Sequence, residues 1–197
     1  MEYTLTYCPV FQDQLTLGMA HLFLRRYQEA GDQIDRALSI NPNDVWAIMN
    51  KSIYLQYTGR HLDAKSVLQK AMRLDRYQPF GVFDQTLGYP LYNLGQYEEA
   101  LAAFRNVDPK PIWLRPFLAA CYAQLDRMDE ARTEKDIFLD TLVPASASLG
   151  STKYLRGGVT VDRESRLRAL QNLIGTYKQQ SDRDRWLDGM RKAGIPV

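Results

Sequence analysis

An alanine recurs four times along the chain, each time closing a similar heptapeptide, and this repetition constrains the fold more than any other sequence feature. Successive alanines are separated by 34, 36 and 31 residues. A small residue precedes each alanine by 12 positions, and a third column follows it by seven. The three columns are Ala30, Ala64, Ala100 and Ala131; Gly18, Ser52, Gly88 and Ala119; and Ala37, Ala71, Val107 and Phe138. A shared period of this length indicates stacked supersecondary units.

The small residues predict that each unit is a pair of antiparallel helices, because small side chains let two backbones approach closely. Gly59 and Gly95 lie where the turn inside a pair needs a permissive backbone. No segment alternates apolar and polar residues as a strand would, so we expect few strands or none. The predicted pairs are 11–24 with 28–40, 45–57 with 61–74, 81–93 with 97–106, and 112–124 with 128–140.

The repeated unit resembles the tetratricopeptide repeat (TPR), a helix–turn–helix unit of 34 residues. The first unit carries the family's marked positions at Leu17, Gly18, Ala30, Ala37 and Pro42. The resemblance implies an all-α, right-handed TPR-like solenoid of four helix pairs plus two C-terminal capping helices. The domain boundaries that it implies are an N-terminal lead-in at 1–10 and TPR-like repeats at 11–44, 45–80, 81–111 and 112–140.

The C-terminal third has a different composition. Residues 141–161 are rich in serine and glycine, which predicts a flexible loop. Asp162 and the segment 181–184 are typical helix starts, so we expect two further helices within 162–197. A solenoid needs its last apolar face covered, and the preferred interpretation is that these helices cap the fourth repeat. The alternative is that one of them folds back into the concave groove and inhibits binding there.

Composition and motifs exclude several classes of function. Hydrophobic residues make up 45% of the 197 residues, and no apolar run is long enough for a membrane helix. A net charge of +2 does not favour nucleic-acid binding. Cys8 and Cys121 lack metal-binding spacing and fit a reducing, cytoplasmic setting. His21 and His61 fit packing positions, and no nucleophile or phosphate-loop motif occurs, so we expect neither enzyme activity nor a metal or cofactor.

By the TPR resemblance, the first helix of each pair lines the concave groove. The groove positions carry aromatic, aliphatic and amide side chains but no lysine or arginine, which argues against a clamp for a peptide carboxylate. The predicted partner-binding residues are Leu15, Met19, Phe23, Trp46, Met49, Asn50, Ile53, Tyr57, Gln85, Tyr89, Tyr92, Asn93 and Trp113. Such a surface suits a protein or peptide with an apolar or amphipathic segment. Alternatively, individual rings pack between repeats or under the C-terminal helices.

A narrower resemblance concerns the segments 92–104, 117–132 and 182–196. They are similar to the repeat tails of bacterial proteins that carry a class III adenylate/guanylate cyclase domain or a winged-helix DNA-binding domain. This chain contains neither domain, so the resemblance implies a non-catalytic interaction scaffold that regulates a bacterial signalling protein. Self-association into a homodimer, which would bring two attached domains together, is the alternative. An enzyme or small-ligand receptor is disfavoured because no convergent polar set is visible.

Overall fold

The computed structural model of the chain describes residues 9–75, 81–140, 143–144, 160–161 and 163–197. Helices dominate these ranges. They are α1 (Pro9–Phe23), α2 (Tyr27–Ile40), α3 (Val45–Tyr57), α4 (His61–Leu74), α5 (Val82–Asn93), α6 (Tyr97–Arg105), a 3₁₀ turn (Ile112–Leu114), α7 (Arg115–Gln124), α8 (Met128–Asp140), α9 (Arg163–Gly175) and α10 (Gln180–Lys192). Helices α1 to α8 form four antiparallel pairs whose bounds lie within three residues of those predicted.

The small-residue columns lie at the contact between the two helices of each pair. The four recurring alanines are completely buried. In the second repeat, the Ser52 hydroxyl donates a hydrogen bond of 2.8 Å to the Ala64 carbonyl, which joins the first two columns directly. In the first repeat, a Cβ on Gly18 would lie 2.9 Å from Ile34 Cγ1. Only a small residue lets the paired backbones approach this closely, so the columns specify the pairing.

The turns inside the four pairs share one backbone conformation. The residue with a left-handed backbone is Gly59 in the second repeat and Gly95 in the third, at φ of 84° and 77°. At the equivalent positions of the first and fourth repeats stand Arg25 and Asp126, at φ of 61° and 57°. The turn geometry is therefore imposed by helix packing even where the residue is not glycine.

The C-terminal helices do not extend the stack. Helix α10 packs chiefly against α7 and also contacts α5, which are the first helices of the fourth and third repeats. Helix α9 starts beside the end of α8, where an Arg166 guanidinium N–H donates to the Leu139 carbonyl at 2.8 Å. The segment after α9 reaches the first repeat, where the Tyr27 hydroxyl donates to the Thr176 carbonyl at 2.9 Å. Together the two helices and the segment between them contact all four repeats.

This placement corresponds to the alternative interpretation of residues 162–197, in which one of the two helices folds back towards the concave groove. A cap would stack on α7 and α8 alone, whereas α10 lies across first helices of successive repeats, on the side that forms the concave groove. The physical reason is the apolar, largely aromatic surface of that groove, which α10 removes from water. The predicted loop at 141–161 lies outside the described residues, except that Val143–Pro144 (β1) pairs antiparallel with Thr160–Val161 (β2).

Candidate functional site

Three rings from the first helices of the third and fourth repeats form what we call the aromatic pocket: Tyr89, Tyr92 and Phe117. The indole of Trp186, on α10, stacks on Tyr92 with ring centroids 3.6 Å apart and planes 9° from parallel. It also packs edge-on against Phe117 and Tyr89, with ring centroids 4.9 Å and 6.1 Å away. Trp186 is completely buried, so the pocket takes up an entire indole. Stacked and edge-to-face pairs of this kind add to the stabilisation that burial alone gives.

Small residues let the backbone of α10 approach the groove beside this pocket. A Cβ on Gly189 would collide with the Tyr92 hydroxyl and would lie 3.2 Å from the Ala120 Cβ. Ala120 belongs to α7, in which Ala119 and Ala123 are also completely buried. The contact of α10 with α7 is thus a close helix–helix crossing that only a small residue at position 189 permits.

The C-terminal segment also contacts the last residue of the first helix in three repeats. The backbone N–H of Lys178 donates to the Tyr57 carbonyl at 2.8 Å, and the Arg185 guanidinium donates to the Asn93 carbonyl. In the fourth repeat, Gln124 Nε2 donates to the Asp188 carboxylate at 3.1 Å. Carbonyls at a helix C-terminus lack intrahelical partners and carry partial negative charge, so N–H donors are favourable there.

Buried polar side chains accompany the apolar contacts. Gln56 Nε2 donates to the Tyr177 hydroxyl at 2.8 Å, and the Tyr177 ring lies 4.5 Å from that of Tyr57. His61 Nε2 lies 2.9 Å from Asp182 Oδ1, and both side chains are about nine-tenths buried. Burial raises the pKa of the Tyr57, Tyr92 and Tyr177 hydroxyls above the usual value near 10. These tyrosines, in the part of the groove that the C-terminal segment covers, therefore stay uncharged.

The predicted groove residues fall into four groups in the structure. Tyr57, Tyr89, Tyr92 and Asn93 lie under the C-terminal segment. Leu15 and Met49 are buried between neighbouring helix pairs instead, which removes them from the groove surface. Met19, Ile53 and Trp113 are partly buried against the main core. Phe23 and Trp46 remain half exposed, while Asn50 and Gln85 are of intermediate exposure.

Sequence reasoning missed two members of the site. Phe117 lies within an almost continuous apolar helix, so no periodicity distinguished its groove-facing ring from core residues. Trp186 belongs to a helix that was assigned to a cap. The sequence does contain a signal for its docking, because Asp182, Trp186, Gly189 and Ala193 recur at helical spacing. In the structure all four residues are buried.

The described residues offer little for other chemistry. Among them, no three His, Cys, Asp or Glu side chains come close enough together to hold a metal ion. Cys121 is buried in α7, and burial raises the pKa of its thiol well above the usual value, which keeps the thiol protonated. None of the helices in the described ranges has the length and apolar character needed to cross a membrane.

Comparisons with known proteins agree with the repeat architecture. Residues 14–44 match the family model of the tetratricopeptide repeat. The Small glutamine-rich tetratricopeptide repeat-containing protein 2 of Mycosarcoma maydis is 30% identical over 111 residues, which is 55% of this chain and 31% of that protein. The chain therefore matches about a third of the length of this curated relative.

Solved structures show the same fold. The TPR-like repeats of a protein described as a kinesin light chain of Podosopora anserina superpose with a TM-score of 0.58 at 16% identity, covering 96% of this chain and 97% of that one. The MamA protein superposes with a TM-score of 0.52 at 16% identity, covering 93% of this chain and 90% of that one. At these identities the likeness concerns the fold, which is a TPR-like helical solenoid.

Proposed function

We propose that the chain is a non-catalytic scaffold for protein–protein interaction and that its concave groove binds an amphipathic helix of a partner. Solenoids of this kind present an extended concave surface suited to binding. The observation that carries the proposal is the aromatic pocket, which already holds a helix through a fully buried tryptophan. Large aromatic anchors in well-packed pockets supply most of the binding energy in protein interfaces.

The groove continues beyond the aromatic pocket towards the first two repeats. Phe23 and Trp46, which the TPR resemblance assigns to the groove, are 50% and 49% exposed. The Phe23 ring lies 6.2 Å from that of Tyr57, so it borders the part of the groove that the C-terminal segment covers. A partner helix would find two large aromatic side chains available at this end.

The setting that we propose is regulation of a bacterial signalling protein in the cytoplasm. Its support is the similarity of three segments to repeat tails of proteins with cyclase or winged-helix domains. In such a protein the scaffold would transmit binding of a partner to the attached domain. Sequencing through the neighbouring reading frame tests this setting, because an adjoining cyclase or winged-helix domain is the expected result and its absence would remove the setting.

The binding proposal is tested by selecting helical peptides from a displayed library on the immobilised full-length chain. We expect the selected peptides to carry an aromatic anchor and to lose at least about tenfold in affinity when Tyr89→Ala or Trp46→Ala is introduced, which corresponds to the loss of one anchor contact. The matched control is Arg132→Ala, on an exposed position of α8. Selected peptides that bind all three variants as tightly as the unchanged chain would contradict groove binding.

Self-association is a second candidate, because α1 and the residue that follows it expose large apolar side chains. Leu17, Phe23 and Leu24 are 48%, 50% and 64% exposed. Light scattering over a concentration series tests this candidate. A mass that rises from monomer to dimer, and that Leu17→Ser returns to monomer, would support it, whereas a monomer throughout would exclude it.

A further inference from the structure

We propose that α10 is the built-in ligand of the concave groove, and that the partner is a helix carrying the same recognition stripe, which binds by displacing α10. This inference rests on the proposed function and specifies both the partner and its regulation. The stripe consists of Asp182, Arg185, Trp186, Gly189 and Met190. It combines an acidic residue, an arginine next to a tryptophan, a glycine one turn later and a methionine.

The spacing of the stripe shows that one face of α10 does the binding. Its residues follow one another at intervals of three and one, which places them on a single helix face. Trp186 and Met190 are completely buried and Gly189 is buried, whereas Asp184, Asp188 and Arg191 on other faces are exposed. An equivalent stripe on another helix would present the same groups to the groove.

Each member of the stripe meets a complementary group. Trp186 enters the aromatic pocket, and Gly189 permits close approach to α7. The Arg185 guanidinium donates to the Asn93 carbonyl at the end of α5. The Asp182 carboxylate faces His61 Nε2 at 2.9 Å. A partner lacking the acid would leave the buried His61 without this neighbour, so the stripe sets specificity as well as affinity.

Polar contacts at the solvent-exposed edge of α10, which we call rim contacts, help to hold it in place. They are weak enough to break when a competing helix binds. Lys192 Nζ forms a 2.8 Å ion pair with Asp126, whose side chain is 85% exposed, and Asp188 accepts its bond from Gln124 in a solvent-exposed position. Exposed pairs of this kind contribute little free energy. Because α10 is covalently attached, its effective concentration at the groove is on the order of millimolar. A free helix with the same stripe therefore binds the unchanged chain only at comparable concentration.

Loosening α10 should then strengthen binding of a competing helix. The apparent dissociation constant equals the intrinsic one divided by the fraction of chains with an open groove. The probe is a fluorescent peptide of residues 179–197, titrated into the full-length chain and followed by fluorescence anisotropy. The double variant Asp188→Ala/Lys192→Ala removes two rim contacts, and Gly189→Leu drives α10 away from Tyr92 by steric collision.

We expect apparent affinity for the peptide to rise about five- to tenfold in the rim double variant and more in Gly189→Leu. The matched control is Asp184→Ala, which removes a carboxylate that bonds only Gln180 within α10, and it should bind like the unchanged chain. A peptide carrying Trp186→Ala should bind none of them. Far-UV circular dichroism verifies that each variant keeps its helices, and the rim variant provides the test if Gly189→Leu does not fold.

Two results would overturn the inference. Equal affinity of the peptide for the unchanged chain and for both opened variants would show that α10 does not occupy the groove. Absence of peptide binding to folded, opened variants would show that the stripe is not the recognition element. Neither result decides the proposed function, because peptides selected from the displayed library, and their dependence on Tyr89 and Trp46, report on groove binding by themselves.

Discussion

The part of the concave face around Phe23 and the part under α10 are built from the same kind of helix, yet they differ in what covers them. Phe23 and Gln124 stand at equivalent positions, each the last residue of the first helix in its repeat. Phe23 is half exposed, whereas Gln124 bonds to α10. Position within the repeat therefore determines which side chains face the groove, while the C-terminal segment determines which of them remain available.

The largest expected difference between the two regions comes from their tryptophans. Trp186→Ala should lower the free energy of unfolding by about 3–5 kcal/mol, because it empties a pocket that encloses the whole indole. Trp46→Ala should lower it by less than about 1 kcal/mol, because that ring is 49% exposed. Urea unfolding of both variants makes the measurement. Equal losses would contradict the contrast between a filled and an open part of the groove.

Alkaline pH provides a test without mutation. Burial raises the folded-state pKa of Tyr57, Tyr92 and Tyr177, so these hydroxyls stay protonated when the unfolded chain ionises. Their stabilising contribution is complete below pH 10 and declines above it, by about 1.4 kcal/mol per tyrosine and pH unit. Tyrosinate absorbance should therefore show these three groups ionising only together with unfolding. Their ionisation in the folded chain near pH 10 would show that the groove is open.

Removal of the hydroxyl from two tyrosines compares hydrogen bonds made by the C-terminal segment at two places. Tyr177→Phe leaves the buried Gln56 Nε2 without its acceptor and should cost about 1–3 kcal/mol of unfolding free energy. Tyr27→Phe removes a 2.9 Å bond to the Thr176 carbonyl in a partly buried position, so about 0.5–1.5 kcal/mol is expected. Thermal unfolding of both variants measures the difference. A larger loss of unfolding free energy in Tyr27→Phe than in Tyr177→Phe would show that the hydrogen bond at the first repeat contributes more to stability.

The smallest effect concerns the left-handed turn residues. Arg25→Gly should raise the unfolding free energy by up to about 1 kcal/mol, since glycine adopts a φ of 61° without the steric cost that arginine bears. Asp126→Gly should give a somewhat smaller gain, because loss of the exposed ion pair with Lys192 offsets part of the same relief. Denaturant midpoints compare the two variants. A gain at Asp126 that exceeds the gain at Arg25 would indicate that the pair with Lys192 is not formed.

The helix pairs could be predicted from the sequence because they depend on local spacing. Gly18 and Ala30, or Ser52 and Ala64, are separated by only 12 residues, and their small side chains specify a close contact wherever they occur. The fold class follows from repeating that contact. The left-handed backbone at Arg25 and Asp126 is harder to predict from the sequence, because neither residue is glycine. Only their alignment with Gly59 and Gly95 in the repeat indicates this conformation.

The groove was predicted only in part, because its state depends on contacts between distant segments. Trp186 and Tyr92 are 94 positions apart in the chain, and no local sequence pattern predicts that their rings stack. The resemblance assigns Tyr89, Tyr92 and Asn93 to the groove, and in the structure these residues contact α10. It also included Leu15 and Met49, which lie between repeats because the adjoining helix pair covers them. Of the two interpretations of the C-terminal helices, the one in which a helix folds back towards the groove agrees with the contacts of α10.

The structure places the indole of Trp186 in the aromatic pocket of the third and fourth repeats. Nuclear Overhauser effects from the Trp186 ring protons in the full-length chain test it most directly, because the stacked rings are 3.6 Å apart. The structure predicts strong cross-peaks from Trp186 to the ring protons of Tyr92 and Phe117, and an indole N–H that exchanges slowly with solvent. An indole with rapid exchange and no cross-peaks to either ring would contradict this placement.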